Sequence, residues 1–132
     1  MNLSTRNLKF DKLREAVLYD SPQRVVEIVK SDREILKQTN SIGENIITWC
    51  ALELMANEVE LLRSLGCEIQ EQALSEAIQH QNTDMLLLLL ELGGSISTYS
   101  AAQSLSIAQK WGGEPRKLHI MKSHLSAYGI NV

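Results

Sequence analysis

Two stretches decide how this chain is read: ALELMANEVELLRSLGCEIQ, Ala51–Gln70, and IQHQNTDMLLLLLELGGSIS, Ile78–Ser97. With Gly66 set against Gly93, Asn57 meets Asp84, Glu58-Val59 meets Met85-Leu86, Leu61-Leu62 meets Leu88-Leu89, and Ile69 meets Ile96. Upstream, Cys50-Ala51 meets Ala77-Ile78. Each stretch has small residues where a first helix must pack closely against a neighbour, then a brief polar turn. A second helix follows, carrying apolar residues at V-x-L-L spacing, which puts them on one face. It stops at Gly, which accepts the left-handed conformation of a helix C-terminus. One such pair cannot bury its apolar faces alone, so the pairs must stack.

The pattern resembles the ankyrin repeat. Four units follow from the resemblance, near residues 1–37, 38–70, 71–97 and 98–132, and together make a single domain. The second (Ser41–Gln70) and third (Ala73–Ser97) carry the likeness most fully. The first, Leu13–Asn40, is similar to an amino-terminal capping repeat, with Arg33 where the family has Pro. The fourth opens with SLSIAQKWGG, Ser104–Gly113. No unit holds the T-P-L-H signature; Asn45-Ile46-Ile47-Thr48 stands in its place. From Gly66 to Gly93 is 27 residues, about six short of the family's usual ~33. The shortfall lies between Ile69 and Ala73, where a hairpin finger belongs. The fold class implied is an all-α ankyrin-type solenoid of about four helix pairs, the third with a shortened turn. First helices are predicted at 8–19, 46–54, 72–81 and 101–111, and second helices at 22–30, 57–65, 84–92 and 116–126.

Composition bounds the function. The chain has 132 residues, 44% hydrophobic and 22% charged, a balance suited to one ordinary globular domain. Its net charge of −3 conceals a distribution. Residues 1–37 carry 8 basic and 6 acidic side chains; residues 38–100 carry 9 acidic ones and a single basic one, Arg63; residues 101–132 carry 4 basic and 1 acidic. An acidic middle disfavours nucleic acid, whose phosphates need a basic face. The longest apolar run, Met85–Leu90, is six residues, against about 20 for a membrane span. The amino terminus lacks the apolar core of a signal peptide, so the expected compartment is the reducing cytoplasm.

No catalytic or metal motif emerges. His119 and His124 are five apart and do not share a helical face, and His80 is remote in sequence; there is no HExxH and no Cys-x-x-Cys. Cys50 takes the place of a small core residue and Cys67 follows the helix-ending Gly66; both read as buried side chains rather than nucleophiles. Gly93-Gly94 and Gly112-Gly113 lack the Lys-Ser or Lys-Thr of a phosphate loop. The expectation is a non-catalytic protein with no cofactor, no metal and no small-molecule substrate.

What remains is a binding surface. In ankyrin proteins the concave face is built from the first helices and the turns before them. Three residues beyond the small positions Ala16, Cys50, Ala77 and Ala108 stand Tyr19, Glu53, His80 and Trp111; one residue earlier stand Leu18, Leu52, Gln79 and Lys110. The resemblance implies that these eight, with Glu44 near a turn, contact a partner. Aromatic side chains at such places are the kind that anchor interfaces. Trp111 serves either as such a contact or as a cover for the end of the stack. Trp49 reads as packing, and Glu58, Glu60 and Glu91 as a solvated outer face. Small free-standing ankyrin proteins of this kind are similar to bacterial immunity proteins, which block a cognate toxin in the cytoplasm. An acidic groove suits a basic toxin, for instance a nuclease, because complementary charge speeds association. The alternative is a scaffold or effector docking a host or regulatory protein.

Overall fold

The computed structural model describes residues 6–132, which form eight α-helices and one 3-10 turn, with no strand among the described residues. The chain divides into two compact units, Met1–Glu68 and Ile69–Val132.

In the first unit, α1 (Leu8–Tyr19) begins where Asn7 Oδ1 accepts the N–H groups of Lys9 and Phe10, both at 3.1 Å. Such a cap satisfies amides that have no partner within the helix. Phe10, Leu13, Ala16 and Val17, spaced to share one face, are buried. The second helix, α2 (Pro22–Ser31), starts on Ser21 and Pro22, a residue whose fixed φ suits the first helical position. A 3-10 turn at Arg33–Lys37 then tucks Ile35 and Leu36 into the core. Asn45 caps α3 (Ile46–Leu52), and α4 (Ala56–Ser64) buries Val59 and Leu62. Asn45 does more than cap: it is buried, accepts the Thr48 N–H at 3.0 Å and donates to Glu68 O at 2.8 Å, tying the start of α3 to the chain beyond α4.

The second unit holds α5 (Glu71–Gln79), α6 (Thr83–Glu91), α7 (Thr98–Lys110) and α8 (Pro115–Ala127). Within it α5 packs on α6 and α7, α6 on α8, and α7 on α8, so first helix meets first helix and second meets second. Met85, Leu86, Leu89 and Leu90 are buried. Fully burying a side chain of that size contributes about 1.5–3 kcal/mol.

The helix ends show how the chain turns. At α4 the N–H of Gly66 bonds Arg63 O and that of Cys67 bonds Leu62 O, both at 3.0 Å. At α6, Gly93 bonds Leu90 O and Gly94 bonds Leu89 O. At α8, Gly129 bonds Ser126 O and Ile130 bonds Leu125 O. This paired pattern satisfies the last carbonyls around a left-handed residue. Similar pairs close α3 at Leu54 and Met55 and α5 at Gln81 and Asn82.

Most helix limits lie within a residue of those predicted; the exceptions have local causes. α3 stops at Leu52 rather than 54 because Leu54 is left-handed, with φ 58°. α5 stops at Gln79 rather than 81 because Gln81 is left-handed, with φ 56°. α7 begins at Thr98 rather than 101 because Ser97 Oγ accepts the Ser100 N–H at 3.0 Å. The 3-10 turn was not anticipated.

The Gly93-Gly94 pair divides two tasks. Gly93 has φ +94°. A Cβ on Gly94 would lie 2.8 Å from Leu89 O and 2.9 Å from Ile69 Cγ2. Gly93→Val is expected to cost about 1 kcal/mol or more, and Gly94→Ala to destabilise through overlap. Urea denaturation midpoints measure both; an unchanged midpoint for Gly93→Val would count against its left-handed role.

Candidate functional site

In the second unit the predicted contact residues gather at the ends of α5 and α7. Ala77 and Ala108 are buried, small enough for the helices to approach closely. Along the seam Ser75 Oγ and Ser104 Oγ lie 2.7 Å apart, Ser104 Oγ donates to Ser100 O at 2.8 Å, and Gln79 Nε2 donates to Ser75 Oγ at 3.1 Å. Every buried polar side-chain atom among the described residues has a partner, as a close-packed seam requires. Just beyond it the rings of His80 and Trp111 sit 6.0 Å apart, tilted by 42°. His80 Nε2 is 3.2 Å from Glu76 Oε2. Gln81 Oε1 accepts the Glu114 N–H at 2.9 Å, holding the two helix ends together. Trp111 is nevertheless 62% exposed, with His80 and Lys110 also at the surface; Gln79 is half-buried. The structure thus brings His80 and Trp111 together as a supported, solvent-facing aromatic pair.

In the first unit the corresponding ends are those of α1 and α3. Asn7 Nδ2 donates to Thr39 O at 3.1 Å, and the Arg14 guanidinium lies 5.9 Å over the Trp49 ring. At the far end Val17, Asp20 and Pro22 share a cleft of about 60 Å³ with Glu58, Leu61 and Leu62. The helices α1 and α3 pack against each other. Their C-terminal ends present Tyr19, 81% exposed, Leu18, 40% exposed, and Glu53; Leu52 is half-buried. Trp49 is half-buried beneath Arg14.

Glu44 differs from expectation. It is only 5% exposed, and its Oε1 accepts from Asn40 Nδ2 at 2.8 Å. Its backbone N–H donates to Asn40 Oδ1 at 3.0 Å and its carbonyl accepts the Asn40 N–H at 3.0 Å. Glu44 closes the 40–44 loop instead of standing open to a partner. Leu54, which was not among the candidates, is 57% exposed in its left-handed conformation. The available signal was its register: it follows Glu53 as Gly112 follows Trp111.

Among the described residues no group of three or more His, Cys, Asp or Glu side chains is placed to hold a metal ion, and no helix is long and apolar enough to cross a membrane. Both thiols are buried and unpaired. Burial pushes Cys50 up to about 12, with the Glu58 charge adding to the effect, and pushes Cys67 up to about 11. A neutral buried thiol is a poor nucleophile.

Raised thiol pKa values make stability depend on alkaline pH. Below about 9, the ordinary thiol value, both states keep their protons and the contribution is full. Above it the unfolded chain loses protons that the folded chain retains, so stability falls as pH rises towards 11 and 12. Thermal midpoints are expected to fall across this window, and less steeply in Cys50→Ala, which installs the residue found at 77 and 108. Equal slopes for the two proteins would show that Cys50 contributes nothing.

No family model matches the chain, and no curated protein or solved structure matches it significantly either, so its function must be argued from these helix ends.

Proposed function

We propose that the chain is a non-catalytic, ankyrin-type solenoid whose first-helix ends bind and neutralise a basic protein toxin, as an immunity protein does in the cytoplasm. The observation that carries this reading is the exposure of large side chains at matching register positions. Tyr19 and Trp111 each stand three residues past a buried Ala, in different units, and both project into solvent. Single exposed apolar residues are ordinary on protein surfaces. Recurrence at one register position, at the end of a helix held by caps and seam hydrogen bonds, is what a presented contact surface has. The repeat reading draws support from the left-handed residues 54 and 81, and 66 and 93, each pair 27 apart.

Charge gives the partner its sign. Residues 38–100 hold 9 acidic side chains and only Arg63 as a base. Arg63 is occupied at the end of α4, where its Nη1 donates to Cys67 O at 3.0 Å. In the first unit the proposed contacts are Leu18, Tyr19, Leu52 and Glu53; in the second, Gln79, His80, Lys110 and Trp111. Electrostatic attraction sets the encounter rate and the aromatic anchors set the residence time.

The test is co-expression with the product of the adjacent reading frame. The expected outcome is a stable complex and rescue of growth from that product. Tyr19→Ala and Trp111→Ala should each weaken the complex at least about fivefold. Glu53→Lys and a rise in salt from about 0.05 to 0.5 M should each slow association. Absence of both complex and rescue would sink the reading; salt-independent affinity would remove its electrostatic part.

A further inference from the structure

Three positions in this chain are equivalent by their place in the helix ends. Leu54 follows the C-cap of α3, Gln81 that of α5 and Gly112 that of α7, and all three have positive φ, at 58°, 56° and 84°. The left-handed region crowds Cβ against the following carbonyl, so it selects Gly and tolerates other residues at a cost. Gly112 avoids that cost. Gln81 bears it, but its side chain is employed: Oε1 accepts the Glu114 backbone N–H at 2.9 Å, and the residue is half-buried. Leu54 bears the same cost with an apolar side chain that is 57% in water. Within the folded chain, neither backbone geometry nor solvation accounts for a leucine there. The turn requires the left-handed conformation but not a leucine in it, and a strained, exposed leucine where Gly or Asn would serve points to function.

Its surroundings say what would cover it. Leu18 and Tyr19 are exposed at the end of α1, which packs on α3, and the residue that follows them, Asp20, shares a cleft with Glu58 of α4. Around them lie Asp20 and Glu58, which line the small cleft between the α1–α2 turn and α4, and Glu53 beside Leu54. These three carboxylates form no ion pair among the described residues. Two cations of the same unit are engaged with other groups: Arg14 pairs with Asp11 at 3.2 Å and lies against Trp49, and Arg24 is 3.5 Å from Glu27. An apolar spot rimmed by unpaired carboxylates is complementary to an apolar side chain flanked by Lys or Arg.

We infer that Leu54 is the anchor of this contact, kept in a strained, exposed conformation because a basic protein partner buries it together with Leu18 and Tyr19. The inference rests on the proposed binding function and names the residue and the partner chemistry at one end of it. It also sets the signs of two effects against each other. A residue kept for the fold should weaken the fold when replaced; a residue kept for a partner should not.

The experiment compares the full-length chain with Leu54→Gly and Leu54→Asn, both of which accept the left-handed conformation. The thermal midpoint of each free variant is expected to equal or exceed that of the original chain. Affinity for the product of the adjacent reading frame, measured by titration calorimetry, is expected to fall at least about tenfold in both. A lowered midpoint in both variants would overturn the inference, since Leu54 would then be held by its own fold. Undiminished affinity, with the original complex intact, would overturn it while leaving the binding function standing. No complex with the original chain would remove the binding function and this anchor together.

Discussion

A helix that must reverse direction within two or three residues leaves carbonyls unsatisfied unless the next residues fold back onto them. This chain meets that constraint with one device at α3, α4, α5, α6 and α8: a left-handed residue whose N–H and whose successor's N–H bond the last turn. Everything downstream depends on it. Short reversals set each second helix against its first, which lets the apolar stripes of Val59 and Leu62, or of Leu86, Leu89 and Leu90, meet a core rather than water. The residue after the left-handed one is buried at Cys67 and Ile130, so the turn itself contributes to the core. At Gly94 the same place is so tightly packed that a Cβ would strike backbone and Ile69.

That dependence explains what could be read in the sequence. Apolar periodicity located all eight helices, because a stripe that buries itself leaves a 3.6-residue signature. The glycines 66 and 93 located two of the left-handed ends. Gly129 ends α8 in the same way and is as visible once Leu65-Gly66-Cys67 and Tyr128-Gly129-Ile130 are set side by side. Leu54 and Gln81 hid their role because residue preference favours Gly there, and the predicted α3 and α5 ended two residues late. Ser97 is an ordinary capping signal, but the weight placed on later small residues obscured it.

Site residues were legible in a different measure. Register placed His80 and Trp111 at matching helix ends, and they lie ring against ring. Register could not see that Glu44 would be enclosed by Asn40, because loop closure between residues four apart leaves no periodic trace. Nor could charge counting see that the one base of the acidic stretch, Arg63, donates to the Cys67 carbonyl just past the end of α4.

The helix ends also carry their own internal control. Positions 54, 81 and 112 share a backbone conformation and differ in side chain, so the chain has in effect tried three solutions to one problem. Glycine removes the strain, at the expense of unfolded-state entropy. Glutamine accepts it and recovers a hydrogen bond from the exposed Glu114 amide at the start of α8. Leucine accepts about 1 kcal/mol or more of backbone strain and leaves apolar surface in water besides. Proteins are marginally stable, and such a sum is a noticeable fraction of the whole. A fold selected for stability alone would use either of the other two solutions at 54. The third makes sense only if the balance includes a surface that the isolated chain does not contain.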